Sequence, residues 1–160
     1  MELCAAIEGT SLSAWIRDQG DWFIPSVQVI HIMAIAAILI ASSLINLRIL
    51  GMASMDHRLS FVVARFSPIL WLALAFLISS GLLLIVGEPA RSLANSVFQF
   101  KMLCLMSTLL IFWIITRALA QDEGYWQKSA GRQSSVKVLA MLSIILWVSI
   151  VFAGRWIAYL

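Results

Sequence analysis

The chain has 160 residues, of which 62% are hydrophobic and 12% are charged, and its formal net charge is +3. Because a soluble domain of this size needs much more polar surface to cover its core, the composition excludes that class and predicts a single integral membrane domain. The basic residues form no run that could follow a phosphate backbone, so nucleic acid is excluded as a partner.

Residues 1–22 predict a tail followed by a short interfacial helix. The segment 11–22 spaces its apolar side chains as a helix does, and Trp15 and Trp22 are of the type found at headgroup level. The tail lacks the apolar centre of a cleavable signal segment, so the first membrane helix is expected to direct insertion.

Four apolar stretches in the domain 23–160 predict membrane-spanning helices. Crossing about 30 Å of hydrocarbon takes a helix of about 20 residues. The first two stretches meet that length without a charged residue, and the other two meet it once the basic residues at their ends reach towards the interface. The helices are predicted at about 24–50, 66–87, 96–120 and 136–160. With short connections, the fold class is all-α: an integral membrane up-down-up-down four-helix bundle with a short N-terminal interfacial helix.

Two prolines and one long connection set the predicted helix boundaries. Pro25 suits the first turn of helix one, where its missing N–H costs nothing. A separate amphipathic segment precedes helix two, and Pro68 is expected to restart the chain there. The polar stretch between helices three and four is predicted to be a plain connection.

The distribution of basic residues predicts the orientation in the membrane. The first and third connections hold seven of them, whereas the opposite side holds four. Under the positive-inside rule, the two richer connections face the cytoplasm and both termini face the periplasm. The seven are Arg48, Arg58, Arg65, Arg117, Lys128, Arg132 and Lys137, and the four are Arg17, Arg91, Lys101 and Arg155.

A cationic pocket is predicted near the outer ends of the helices. His31 is the only histidine inside a predicted span, Gln28 precedes it by one turn, and Lys101 and Arg155 fall at a similar depth. Ionisable residues within a membrane usually face protein or water and mark function, so the pocket would suit an anionic or quinone-like ligand or a partner carboxylate. The alternative is that Lys101 and Arg155 only extend towards the interface, while His31 and Gln28 bond a neighbouring helix.

Three further polar residues of helix one are predicted to have a structural role. Ser42 and Asn46 continue the polar stripe from His31, and an unpaired amide at Asn46 would be costly, so it should bond another helix or a loop. Arg48 can reach headgroups and the exposed carbonyls of the last turn.

Metal and haem binding have weaker sequence support. Soft thioethers with a histidine select Cu(I), and Met102 and Met106 lie one turn apart in helix three, at the level of His31. Methionine is also a common core filler. A bis-histidine haem needs a second membrane histidine, so only His with Met, or a dimeric site, is compatible. The first cytoplasmic connection offers another loose group, Met52, Met55 and His57.

The stretch DWFIPSVQVIHIMAIAAILIASSLINLRILG, together with FKMLCL and AGRWIAYL, resembles a family of small bacterial inner-membrane proteins defined as a domain of unknown function. That family is distantly similar to the copper-resistance D type of membrane domain, and this resemblance is what raises copper as a ligand. Carried over by position, its pattern marks His31, Arg48, Gly51, Lys101, Gly154 and Arg155.

The chain departs from the family pattern at two positions. Asn46 stands where an Asp usually precedes LR, and Gln28 stands where Glu is expected. Both changes remove a carboxylate, which weakens any metal or proton role that the resemblance implies.

The functional prediction is a non-enzymatic inner-membrane binding or accessory subunit. No nucleotide loop, metalloprotease or nucleophile motif is present in the sequence. The alternatives are a quinone- or haem-binding electron-transfer component and a small copper-handling protein, although no cofactor is the leading expectation. The expected partners are the lipid bilayer and other membrane or periplasmic proteins, or a second copy of the chain.

Overall fold

The computed structural model describes residues 9–53, 56–87, 89, 95–122 and 124–156, apart from the side chains of Arg17 and Trp156. In this part of the chain all regular structure is helical, which confirms the predicted all-α class. Predictions that concern Met55, Arg91 and residues 157–160 lie outside the described residues. The elements are α1 (Ser11–Asp18), α2 (Phe23–Leu50), α3 (Leu59–Gly87), α4 (Ser96–Gln121), a 3₁₀ turn (Tyr125–Gln127) and α5 (Ala130–Trp156).

Helices α2 to α5 are each long and apolar enough to cross a membrane. They contain apolar windows with mean hydropathies between 2.0 and 2.7. Large apolar side chains on their outer surfaces are exposed, among them Met33, Leu72 and Val148. In a soluble protein such a surface would be unfavourable, whereas in a bilayer it contacts lipid chains. The chain therefore has the helices of a multi-pass membrane protein.

The four long helices enclose one core. Helix α2 packs against α3 and α5, and α5 packs against α4. Helices α3 and α4 meet through large side chains, with the Trp71 and Phe112 rings 6.2 Å apart in an edge-to-face arrangement. Ile38, Ile45 and Leu70 are among the fully buried residues. The alternating up and down direction of all four helices stays a prediction.

Helix α3 is longer than predicted, because the chain does not restart at Pro68. The helix begins at Leu59 and continues through the proline. Pro68 has no N–H to donate, so one hydrogen bond of the ladder is lost. Leu59, Val62 and Val63 are buried in the core on the turns before it. Tertiary burial of this face stabilises the early turns more than the proline destabilises them.

The connection between α4 and α5 is structured, which corrects the prediction of a plain loop. Trp126 in its 3₁₀ turn is buried, and its Nε1 donates a hydrogen bond to the Ile115 carbonyl at 3.3 Å. Helix α5 starts at Ala130, six residues before the predicted boundary. Burial of the Trp126 side chain stabilises an ordered conformation of this segment, although the segment is mostly polar.

The short helix α1 covers one end of the bundle. Thr10 caps it by accepting a hydrogen bond from the Ser13 N–H at 3.3 Å. Ile16 is buried, and a Cβ placed on Gly87 would lie 3.5 Å from its Cγ2. Trp15 and Trp22 remain exposed, as an interfacial position requires. Helix α1 therefore packs on α3 through one face and leaves Trp15 exposed on the other.

Candidate functional site

The candidate site lies at the end of the bundle that holds His31 of α2, Ser80 and Gly81 of α3, and Lys101 of α4, here called the His31 end. His31 Nδ1 and Ser80 Oγ are 2.9 Å apart, within hydrogen-bonding distance. Ser80 is buried and His31 is half-buried. One hydrogen bond therefore holds the imidazole between α2 and α3 at this end of the bundle.

The bonds of Ser80 indicate which nitrogen of His31 carries hydrogen. The single hydroxyl hydrogen of Ser80 is directed to the Phe76 carbonyl at 2.6 Å. Its oxygen is then the acceptor for a hydrogen on His31 Nδ1, an assignment that rests on the hydrogen-bond network. In the neutral ring, Nε2 consequently holds the lone pair and can accept a proton or a hydrogen bond.

Gly81 provides the space in which the imidazole lies. A Cβ added at this position would lie 3.3 Å from His31 Cε1 and 3.8 Å from Nδ1. The first distance is tighter than ordinary carbon contacts, so an alanine would push the ring away. The Ser-Ser-Gly run of α3 thus supplies both the partner and the room for His31.

Lys101 brings a positive charge to the same end. Its ammonium lies near enough to His31 to interact with it electrostatically, and its side chain is half-buried. A Cβ on Gly154 of α5 would be 3.7 Å from Lys101 Nζ, so the lysine lies beside the glycine of the AGR sequence. Lys101 therefore extends between α4 and α5 and does not simply point outwards.

The two other predicted pocket residues lie at the margin of the site. Gln28 and Arg155 are both exposed, whereas His31 and Lys101 are half-buried. Arg155 follows Gly154 directly, which keeps it close along the chain to the lysine contact. The structure thus joins His31 to Ser80, places Lys101 beside Gly154 within electrostatic range of His31, and leaves Gln28 and Arg155 exposed.

An open groove lies between α4 and α5, and Lys101 and Gly154 directly follow its lining residues Phe100 and Ala153 in the chain. Its volume is about 420 Å³, and phenyl rings and aliphatic side chains dominate its walls. The groove opens on the outer surface of two spanning helices, where lipid chains would be in a bilayer. Its lining residues are Val97, Phe100, Val148, Ser149, Phe152 and Ala153.

The methionines proposed for copper face away from the core. Met102 is 39% exposed and Met106 is 62% exposed, although Lys101 beside them is half-buried. Within the described residues, no group of three or more His, Cys, Asp or Glu side chains could hold a metal. In the first connection, Met52 and His57 are exposed, and the His57 ring lies 5.0 Å from that of Phe61.

A separate polar cluster lies deeper in the bundle and confirms the prediction for Asn46. The Asn46 amide nitrogen donates to Ser143 Oγ of α5 at 3.1 Å and to Ser42 Oγ at 3.4 Å. All three residues are buried. The amide therefore has a partner on another helix, as an amide in an apolar environment requires.

Arg48 anchors the end of α2 differently from the prediction. Its Nε donates to the carbonyl of His57 at 2.7 Å, so it fastens the following connection instead of the last helical turn. Gly51, with φ of 78°, closes the helix in the left-handed conformation. These contacts support a structural role at this end of α2.

Sequence reasoning missed several residues that the fold brings into the two polar sites. The sequence alone marks none of Ser80, Gly81, Thr108, Ser143 and Trp147 as a site residue. A usable signal was the Ser79-Ser80-Gly81 run in an otherwise apolar helix. No comparable signal marked Ser143 or Trp147, because their neighbours in the chain are ordinary membrane residues.

Comparison with known families gives one match. The family model described as "Family of unknown function (DUF6644)" matches residues 7–160, which is nearly the whole chain. None of the curated proteins and none of the solved structures compared with the chain matches it.

Proposed function

Since the chain belongs to this family of unknown function, we propose its role from its own residues: a non-enzymatic membrane binding subunit with its ligand site at the His31 end. The observation that supports the proposal is the half-buried Lys101, which lies beside Gly154 and within electrostatic range of His31, in helices whose spans contain no Asp or Glu. Such a cation is costly inside a membrane unless something balances it, and residues of this kind usually mark function.

The groove beside Lys101 favours a ligand with an apolar tail. Phe100 and Phe152 contribute aromatic walls of the kind that line small-molecule sites. Lys101 supplies a hydrogen-bond donor and positive charge for the head of the ligand, and His31 Nε2 supplies a second polar contact. The ligand class is therefore an amphiphile whose head is anionic or carries hydrogen-bond acceptors.

A quinone-binding electron-transfer component is the second candidate, and the same groove favours it. A quinone has two carbonyl acceptors and an isoprenoid tail, which match the lysine and the apolar walls. Haem and copper have no such support, because Met102 and Met106, the candidate partners of His31 as ligands, are exposed.

The proposed location is the bacterial inner membrane, with both termini and the His31 end facing the periplasm. The seven-to-four distribution of basic residues supports this orientation. A site at that face could take a ligand from the outer leaflet or from a partner protein.

The test is binding by the purified protein in nanodiscs of neutral phosphatidylcholine. A short-tailed benzoquinone and phosphatidylglycerol are titrated separately, and tryptophan fluorescence reports binding. Lys101→Gln should weaken binding of the active probe about tenfold or more, which corresponds to about 1.4 kcal/mol. Binding of neither probe, or equal affinity in Lys101→Gln, would contradict the proposal.

Two serine variants provide a matched control for that experiment. Ser79 and Ser80 both donate to carbonyls of their own helix, at 2.7 Å and 2.6 Å, but only Ser80 also contacts His31. Ser80→Ala should weaken binding by releasing the imidazole, whereas Ser79→Ala should leave it unchanged. Equal effects of the two changes would show that His31 is not positioned through Ser80.

A further inference from the structure

A small cavity, lined by mostly apolar side chains and a few polar ones, lies inside the bundle, away from the His31 end. Side chains of all four spanning helices line it, and Ser42 of its wall lies eleven residues beyond His31, about 16 Å along the helix. The residues that matter here are Ser42, Asn46, Leu70, Thr108, Ser143 and Trp147.

The size of the cavity matches a single water molecule. The centre of a water molecule could occupy about 10 Å³ of it. A site for one buried water needs about 10–15 Å³ measured in this way, together with two to four polar partners. The lining residues include side chains with hydroxyl, amide and indole groups, which are the partners that the second condition requires.

Trp147 supplies a donor that the protein itself does not satisfy. Its side chain is 5% exposed, and its Nε1 has no hydrogen-bond partner within the described part of the chain. A buried N–H without a partner costs about 1–3 kcal/mol. Trp147 is also a wall of the cavity, so an acceptor placed there would remove that cost.

Thr108 supplies an acceptor across the same small space. Its hydroxyl hydrogen is directed to the Cys104 carbonyl at 2.5 Å, so its oxygen keeps lone pairs that can accept. Thr108 is 3% exposed. Thr108 and Trp147 both line the cavity, so a single water molecule in it would lie beside both side chains.

We propose that this cavity is a binding site for one ordered water molecule, which accepts a hydrogen bond from Trp147 Nε1 and donates one to Thr108 Oγ1. The water joins α5 to α4 beside the direct bond between Asn46 and Ser143. This inference does not depend on the proposed ligand site, because none of its residues belongs to the His31 end.

The donor and acceptor chemistry selects water over an ion. An indole N–H directed at a cation would repel it, and no carboxylate lines the cavity. An anion would have to give up its hydration for neutral partners only, at high cost. A neutral molecule with one heavy atom that both accepts and donates fits the size and the partners.

The test is nuclear magnetic resonance of the full-length protein in detergent micelles, with ¹⁵N-labelled tryptophan. Trp147→Phe identifies the Trp147 indole signal by its loss. A dipolar cross peak between that indole proton and water, of opposite sign to chemical exchange in the rotating frame, is the expected result. Absence of the cross peak in the wild-type protein would overturn the proposal.

Trp126 and Thr108 provide the controls. The Trp126 indole is also buried, but it donates to the Ile115 carbonyl, so it should show no cross peak to water. Thr108→Val keeps the shape of the side chain and removes the acceptor, and it should abolish the Trp147 cross peak. An unchanged cross peak in a folded Thr108→Val protein would overturn the assignment of Thr108 as the acceptor.

Discussion

Polar residues inside the spanning helices divide by where their hydrogen bonds go. Ser79, Ser107 and Ser149 each donate to the carbonyl four residues earlier in their own helix. Such bonds satisfy a hydroxyl locally and require no neighbouring helix. His31 and Asn46 instead bond across helices, to Ser80 and Ser143. We therefore expect these cross-helix contacts to determine ligand binding and the specific packing of the helices.

At His31 we expect an effect on binding without loss of the fold. The residue is half-buried at one end of the bundle and makes one cross-helix bond, so His31→Ala should lower the melting temperature by only a few degrees. Binding of the active probe should be lost. Circular dichroism and fluorescence titration measure the two effects, and an unfolded His31→Ala protein would assign the residue to structure.

At Asn46 we expect the opposite result. Asn46→Leu removes the bonds to Ser42 and Ser143 and should cost about 1–2 kcal/mol, the range for interhelical bonds in membranes. Thermal unfolding in detergent measures the loss, while probe binding at low temperature should be retained. Ser43→Ala, at an exposed position of the same helix, is the control. An Asn46→Leu protein of normal stability that no longer binds the probe would place the ligand site near Asn46 and not at the His31 end.

At the scale of elements, three short segments outside the long helices are each tied to the bundle by one side chain. Trp126 closes the connection between α4 and α5, Arg48 holds the connection after α2, and Ile16 attaches α1. Each contact joins a segment of polar or mixed composition to a helix end. These segments consequently behave as part of the fold.

The connection before α5 should be sensitive to loss of Trp126. Trp126→Ala removes a buried indole and its bond to Ile115, and by analogy with other large-to-small changes it should cost about 3–5 kcal/mol. Trp126→Phe keeps most of the apolar contact and should cost about 1 kcal/mol. Chemical unfolding measures both. Trp22→Phe at a 67% exposed site should be neutral, and a Trp126→Ala protein as stable as wild type would refute the role of this side chain.

The same connection should respond to acid through Asp122. The Lys128 ammonium, which pairs with this carboxylate, and the Gly124 N–H, at 3.1 Å, hold the pKa of Asp122 below its ordinary value of 3.8. With a lowered pKa, the stabilisation is present above pH 3.8 and is lost as pH falls through the pKa of the folded state.

Thermal unfolding of wild type and Asp122→Asn between pH 6 and pH 2 tests this contribution. Wild type should be slightly more stable at pH 6, by the small amount that an exposed pair provides, and the two melting temperatures should converge as Asp122 becomes protonated. A difference that stays constant over the whole range would show that the effect of the substitution is unrelated to the charge.

At the scale of the molecule, a membrane environment explains the apolar outer surface of the bundle. Exposed Leu, Ile, Val, Phe and Met side chains cover the outside of α2 to α5, while small polar groups are sequestered between the helices. Lipid solvates the first group, and hydrogen bonds within helices and between them satisfy the second. The orientation of this bundle in the membrane then depends on charges at its ends.

Reporter fusions test the orientation. With seven basic residues in the first and third connections against four at the other side, both termini should be periplasmic. Alkaline phosphatase fused after Leu160 should be active, and the same enzyme fused after Gln127 should be inactive. Green fluorescent protein at the two sites should give the reverse pattern. A C-terminal reporter active only in the cytoplasm would contradict the proposed topology.

The sequence by itself determined the class of fold, the four spans and most helix ends. Apolar length is a property of consecutive residues, so helix α4 was predicted to within a residue of Ser96–Gln121, and Gly51 ended α2 as expected. His31 and Lys101 could be selected because ionisable residues stand out in an apolar run. These features depend on hydropathy and local backbone preference, which neighbours in space do not change.

Only the tertiary structure decided which residues meet. The continuity of α3 through Pro68 and the burial of Trp126 depend on core contacts that local preference cannot report. The pairing of His31 with Ser80, separated by 49 positions, and the cavity beside Trp147 depend on the relative rotation of whole helices. In a membrane, hydropathy decides that a helix inserts, whereas close packing and cross-helix hydrogen bonds decide which of its faces meets a neighbour.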